Sequence, residues 1–281
     1  MILMLNGSDP VPAILESEAT GEILEIFQDI KEITGADVVN LIWRHLAITP
    51  GALQSLWKML RPIYASGAVL AEAKQFRCNL KLPELPIISE NALWACGVDK
   101  LGQLNIKNIL NSYNRTNSIN LIGLSAALAY FDQDERVQTA NLIPTSDEPL
   151  LPLPPLPSIS DLDNHIRELV GCLNNICEED GTIVASMYRH LAYWPGYLGL
   201  IYTVLSPYSS DENMRSIINL VRSDARSIGA GLSSQLEPLE STVSKETVKI
   251  IRSVLMLFIK HPLSKMAVIC GALSLATPAV K

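Results

Sequence analysis

Few residues in this 281-residue chain have both the type and the spacing to do chemistry, and most of them occur twice. Trp43-Arg44-His45-Leu46-Ala47-x-x-Pro50-Gly51-x-Leu53 is answered 145 residues later by Tyr188-Arg189-His190-Leu191-Ala192-x-x-Pro195-Gly196-x-Leu198. Histidine titrates near neutral pH and can act as a general base, and an arginine can hold a carboxylate in a bidentate pair. Both residue types also have a structural reading. A catalytic base is not needed in both copies, and a repeated arginine can tie helix ends or the two halves together. Asn117 stands three residues after Asn114 and is either a pocket amide or the cap of a helix starting near Ser118. Ser186 lacks a His/Asp context and a G-x-S-x-G turn, so a triad is not indicated. The five cysteines (Cys78, Cys96, Cys172, Cys177, Cys270) form no C-x-x-C, and no histidine sits at ligand spacing. On a helix, Cys172 and Cys177 fall on different faces. We expect reduced thiols in a cytoplasmic protein with no metal and no cofactor.

The elements that hold these residues follow the same register. At the offset of 145, Pro10, Pro12 and Ile14 pair with Pro155, Pro157 and Ile159, and Leu60 and Pro62 pair with Leu205 and Pro207. Ile106, Leu110, Tyr113, Ala127 and Leu128 pair with Ile251, Leu255, Phe258, Ala272 and Leu273. Two copies of one fold are therefore expected, covering residues 10–130 and 155–275. The domain limits are 1–143 for the first repeat, 144–157 for a connector and 158–281 for the second repeat, with the repeats packed as one unit. Six prolines between 144 and 157 exclude helix from the connector, because proline lacks the amide and disfavours the helical region before it. Its leucines predict that it lies along the protein surface.

Within each copy the apolar spacing is helical, as in Val38, Leu41, Ile42 and Leu46, and then Leu53, Leu56, Trp57 and Leu60. Trp43, Trp57 and Trp194 read as core, and the Pro50-Gly51 and Pro195-Gly196 pairs as turns. Ser89, Asp99 and Ser244 are predicted N-caps, and Gly97 a helix stop. No alternating strand pattern appears, so the fold class is all-α. The long helix of each copy is predicted to break at a matched place, Asn114–Ser118 in the first and Lys260–Pro262 in the second. Asn117 would then lie in an interruption facing the space between the copies.

Composition narrows the function. The chain is 48% apolar with a net charge of −7 and no basic run, which removes the counterion-release term behind nucleic-acid affinity. The start, MILMLNGSDP, has no basic region ahead of an apolar stretch, so secretion is not expected. The tract Met266–Val280 would span about 22 Å as a helix, against about 30 Å of bilayer hydrocarbon. It is predicted to be a buried helix and no membrane partner is expected.

The two-copy helical layout, the repeated LA-x-x-PG-x-L turn, Glu148-Pro-Leu-Leu-Pro-Leu153 and the Asn114/Asn117 pair resemble the type I D,L-2-haloacid dehalogenases, the DehI-like family, over nearly the whole chain. The resemblance implies a helical pseudo-dimer whose halves are related to the alkylhydroperoxidase D-like fold, with a knotted backbone. It implies hydrolytic displacement of halide from a small organic acid by base-activated water, without covalent ester or cofactor. The family's catalytic asparagine falls on Asn117 and the serine beside its base on Ser186. The base itself, an aspartate, falls on Met187, and the pocket tyrosine on Phe258. A thioether has no proton affinity near neutral pH, so His190, three residues along the helix from Met187, becomes the expected substitute base. The expected catalytic residues are thus Asn117 and His190, and the expected substrate contacts Ser186, Met187, Arg189, Phe258 and Leu41. Two functions follow: a divergent hydrolase of a small 2-substituted carboxylic acid, or a non-catalytic binding or structural protein on the same fold. Either is compatible with a homo-oligomer. A redox relative of alkylhydroperoxidase D would need the missing C-x-x-C.

Overall fold

The structure is a computed structural model and describes residues 10–133, 150–178 and 183–278. The described residues are helical, without a strand. In chain order the α-helices are α1 (Gly21–Thr34), α2 (Leu41–Leu46), α3 (Ala52–Ala65), α4 (Ala68–Asn79), α5 (Glu90–Ala95), α6 (Lys100–Asp132), α7 (Asn164–Asn174), α8 (Ser186–Leu191), α9 (Pro195–Leu205), α10 (Glu212–Leu232), α11 (Lys245–Phe258) and α12 (Ser264–Ala276). The predicted caps form. Ser89 Oγ accepts from the Ala92 amide at 3.1 Å, Asp99 Oδ1 from Gly102 at 2.7 Å and Ser244 Oγ from Thr247 at 3.0 Å. Gly97 ends the α5 turn at φ +78°, a conformation that favours glycine.

Helix α6, about 50 Å long, is the spine. Helices α4, α10 and α12 pack along it, and every residue from Thr116 to Ala129 is buried. Here the structure departs from expectation, because α6 runs unbroken through Asn114–Ser118 and Asn117 is a mid-helix residue. The four weak helix formers there, Asn114, Thr116, Asn117 and Ser118, cost at most about 3 kcal/mol in propensity, comparable to the gain from burying one or two large apolar side chains. The polar side chains also bond locally: Thr116 Oγ1 donates to the Ser112 carbonyl at 3.0 Å and Ser118 Oγ to that of Asn114 at 2.9 Å. In the second half the interruption is real. Ile259–Leu263 forms a π-helical turn around Pro262, and Ser264 Oγ donates to the Ile259 carbonyl at 2.6 Å.

Helices α2 and α8 begin and end 145 residues apart, and α6 and α11 start 145 residues apart. There are two cores. One joins α1–α4, the second half of α6, α10 and α11; the other joins α5, the first half of α6, α7–α9 and much of α12. Each core therefore draws on chain from both sides of the connector. Trp43 and Trp57 are buried, stacked edge-on with each other and with Tyr64, while Trp194 is half-buried. The segment Lys245–Ala276 is apolar and long enough to cross a membrane, but 78% of its most apolar window is buried inside the protein. It is a core element, as the burial of α12 shows.

Residues 144–149 of the expected connector lie outside the described residues. Its remainder has no regular structure and is tied down along its length. Asn108 donates to the Leu151 carbonyl at 2.9 Å and accepts from the Leu151 amide at 3.2 Å. Asp37 accepts from the Leu153 amide at 2.7 Å, and Tyr193 donates to the Pro155 carbonyl at 2.9 Å.

Candidate functional site

A cleft of about 420 Å³, mouth included, opens where α2, α6, α8 and the π-helical turn converge. Asn40, Leu41 and Ile42 come from the start of α2, and Ala185, Ser186 and Met187 from the start of α8. Tyr113 and Asn117 project from α6, one turn apart. Phe258, Pro262, Leu263 and Met266 close the apolar wall. Of the residues expected from the sequence, Asn117, Ser186, Met187, Phe258 and Leu41 line this cleft, while His190 and Arg189 do not.

His190 stands behind the cleft and is fully buried. Its Nε2 is 2.9 Å from the Pro154 carbonyl, which can only accept, so Nε2 carries the proton. Nδ1, 2.7 Å from the Tyr113 hydroxyl, therefore accepts from it. Burial pushes the imidazole pKa down to about 4; the Pro154 bond opposes this, and nearby Arg189 adds to it. This corrects the expectation that His190 replaces the missing base at the cleft. Helix α8 starts at the cleft and runs away from it, so a residue one turn further on lies in the next layer.

Arg189 is corrected likewise. Its Nε and Nη2 both donate to the Pro157 carbonyl, at 2.9 and 2.6 Å, so it holds the connector and does not face the cleft. Arg44 is its counterpart, with Nε on the Val39 carbonyl at 3.1 Å. The twin histidine also binds backbone, His45 Nδ1 lying 2.7 Å from the Pro12 carbonyl.

Beneath the cleft, Asn117 Nδ2 donates to Cys270 Sγ at 3.7 Å, and Cys270 Sγ lies 3.3 Å from Met187 Sδ as donor. Burial pushes the Cys270 thiol up to about 12, opposed by the Asn117 bond, so the thiol is protonated at neutral pH. The phenol of Tyr113 is also pushed up by burial, with Arg44, Arg189 and the Ser186 hydroxyl acting the other way. No described carboxylate, histidine or cation lines the cleft, whose only titratable wall group is thus a neutral phenol. Its polar wall groups are the Asn amides, the Ser186 hydroxyl and the first two N–H groups of α2 and α8 (Leu41, Ile42, Ser186, Met187), whereas the next N–H groups, of Trp43 and Tyr188, bond to the Asn40 and Ala185 carbonyls. Neither helix has a side-chain cap. The five described cysteines are free.

Tyr113 and Asn40 escaped the sequence reading as site residues. Tyr113 was visible as the register partner of Phe258 and as the residue one helical turn before Asn117. Nothing in the sequence marked Asn40.

The sequence matches no family profile and no curated protein. Solved structures do match. A D-2-haloacid dehalogenase mutant in complex with D-2-CPA superposes with a TM-score of 0.77 at 15% identity, covering 95% of this chain and 96% of that one. A second D-2-haloacid dehalogenase mutant gives 0.78, and a complex of D-2-haloacid dehalogenase with L-LA gives 0.77, at the same identity and coverage. The fold is that of the D-2-haloacid dehalogenases. At 15% identity the likeness concerns the backbone, and the side chains of the cleft must be judged on their own chemistry.

Proposed function

We propose that this chain uses the dehalogenase fold to bind a small organic acid in the α2–α8 cleft without hydrolysing it. The observation that carries this reading is Met187, which lines the cleft, takes the Cys270 thiol as donor to its thioether, and stands in a lining that holds no carboxylate among the described residues. Attack by water needs an aligned base, and general-base assistance is worth about 10²–10⁴ in rate. Binding needs less. Orphan amides at two helix starts and the side chains of Asn40, Asn117 and Ser186 suit a carboxylate, while Leu41, Met187 and Phe258 suit its alkyl part.

One observation favours the hydrolytic reading. Tyr113 lines the cleft and donates to His190, so a water bound at Tyr113 could lose a proton through the phenol to the imidazole. With the imidazole pKa near 4, charging it at pH 7 costs about 4 kcal/mol. That places the relay second. The matched helix limits of α2 and α8 support duplication of the 1–143 and 158–281 halves, and the shared cores fit linked, knotted halves. The free thiols fit a cytoplasmic setting.

The test is thermal stabilisation by propionate, lactate and 2-chloropropionate, with halide release followed in the same samples. Stabilisation without halide release, lost on Phe258→Trp, is expected. Halide release by the wild-type chain would overturn the reading.

A further inference from the structure

One wall of the cleft is held by a residue outside it. Ile183, Val184, Ala185, Ser186 and Met187, in succession, all line the cleft, and only the last two belong to α8. The approach to α8 has no cap of its own, because Ala185 at the N-cap position offers only a methyl group. The group that fixes this stretch is Asn174, the last residue of α7, which is fully buried. Its Nδ2 donates to the Ile183 carbonyl at 3.0 Å, and its Oδ1 accepts from the Ala185 amide at 3.0 Å. Asn174 is itself anchored, since Lys265 Nζ donates to its carbonyl at 2.7 Å, at a helix end where carbonyls lack helical partners.

A buried side-chain amide costs stability unless it is hydrogen-bonded, and an aliphatic side chain would fill the space without that risk. What the asparagine adds is a clamp on two backbone groups, which sets where the chain passes and hence how wide the cleft is. The repeated fold does not require it. At the offset of 145 its place is taken by Asp29, which is half-buried and accepts from Trp57 Nε1 at 2.8 Å and Arg61 Nε at 2.7 Å. The approach to α2 is held instead by Glu16, which accepts from the Val39 amide at 2.8 Å. We propose that Asn174 is a positioning residue of the cleft, whose clamp on Ile183 and Ala185 admits a small acid and excludes acids with added bulk at C2. This rests on the reading of the cleft as an organic-acid site. Asn174 does not line the cleft and acts only through the backbone of 183–187.

The test compares propionate with 2,2-dimethylpropionate by isothermal titration of the full chain, of Asn174→Leu and Asn174→Asp, and of Gly229→Ala, a destabilising control outside the cleft lining. A fixed apolar wall discriminates by about tenfold or more for each added carbon, so the wild type should prefer propionate by at least about tenfold. Asn174→Leu leaves the Ile183 carbonyl and the Ala185 amide unpaired and should lose most of that preference. Asn174→Asp keeps an acceptor for the Ala185 amide and should retain part of it, while Gly229→Ala should retain it all. In the wild type, hydrogen exchange at the Ala185 amide should be slow before an acid is added and unchanged afterwards, a readout that stands even where a variant fails to fold. Four results would overturn the proposal and leave the acid site standing: equal binding of the two acids by the wild type, an unchanged preference in Asn174→Leu, an equal loss in Gly229→Ala, or an Ala185 amide protected only once an acid is bound. Binding of neither acid by the wild type would overturn both readings.

Discussion

The Tyr113 hydroxyl stands 2.7 Å from His190 Nδ1, and this bond joins the cleft wall to the layer that holds the connector. It fixes the tautomer of His190 and directs the phenolic proton away from the cleft. Removing the hydroxyl with Tyr113→Phe leaves the buried Nδ1 without a donor, at a cost of about 1–3 kcal/mol. Urea denaturation at pH 7 should show that loss, and titration with a small carboxylic acid should show weaker binding.

His190 also makes stability depend on pH. Its folded pKa, about 4, lies below the ordinary value of 6.5, so the unfolded chain takes up this proton first as pH falls. The contribution is fully present above pH 6.5 and declines down to about pH 4, by at most about 3 kcal/mol. Glu178 acts in a different window. Although burial opposes ionisation most strongly, its carboxyl is lowered in net by Lys265 and His261, so its contribution is fully present above the usual carboxylate range and is lost as pH falls through that range to the lowered folded value. Urea midpoints at pH 7.5 and 5 should therefore differ in the wild type, and this difference should shrink in His190→Gln.

Close helix contacts give a third expectation. At Gly229 of α10, an added Cβ would meet the Ala126 amide nitrogen at 2.6 Å and the Ser125 carbonyl carbon at 2.7 Å, backbone atoms of α6 that cannot turn aside. Gly229→Ala should cost about 2–3 kcal/mol through forced separation of the two helices. At Gly199 of α9 a Cβ meets nothing within 4 Å, so Gly199→Ala should gain up to about 1 kcal/mol in helix propensity. Thermal melts of the two variants should move in opposite directions.

How far the sequence could be read depended on the range of the forces involved. Asp99, Ser244 and Ser89 act within three residues of themselves, and each caps the helix it was expected to start. Pro262 is equally local, since a missing amide disturbs the helix wherever it occurs. The Asn114–Ser118 segment was misread because its weak propensity is local while the burial that overrides it comes from α4, α10 and α12. The position of His190 depends on the Pro154 carbonyl, 36 residues away in a connector without periodicity. Met187 was singled out through the resemblance, and its place in the cleft wall follows from where α8 begins.

The sharpest test puts a base where Met187 stands. Met187 is almost fully buried, so Met187→Asp should lower stability by about 2–4 kcal/mol through lost packing and burial of a polar group. The new carboxyl would lie near the Cys270 thiol that now meets the methionine sulfur, with the Asn117 amide on the same thiol. Burial should raise its pKa above the usual carboxylate range, so any activity gained should increase with pH until the carboxyl is ionised. The assay is halide release from both enantiomers of 2-chloropropionate between pH 5 and 9. No release by the wild type and measurable release by Met187→Asp are expected, because water is a poor nucleophile without an aligned base. Wild-type turnover that disappears in His190→Ala would move the chemistry to the Tyr113–His190 relay. Wild-type turnover that survives that substitution would require a base outside the described cleft wall. A Met187→Asp variant that folds and binds the acid yet releases no halide would show that the cleft holds its ligand in a pose unsuited to displacement.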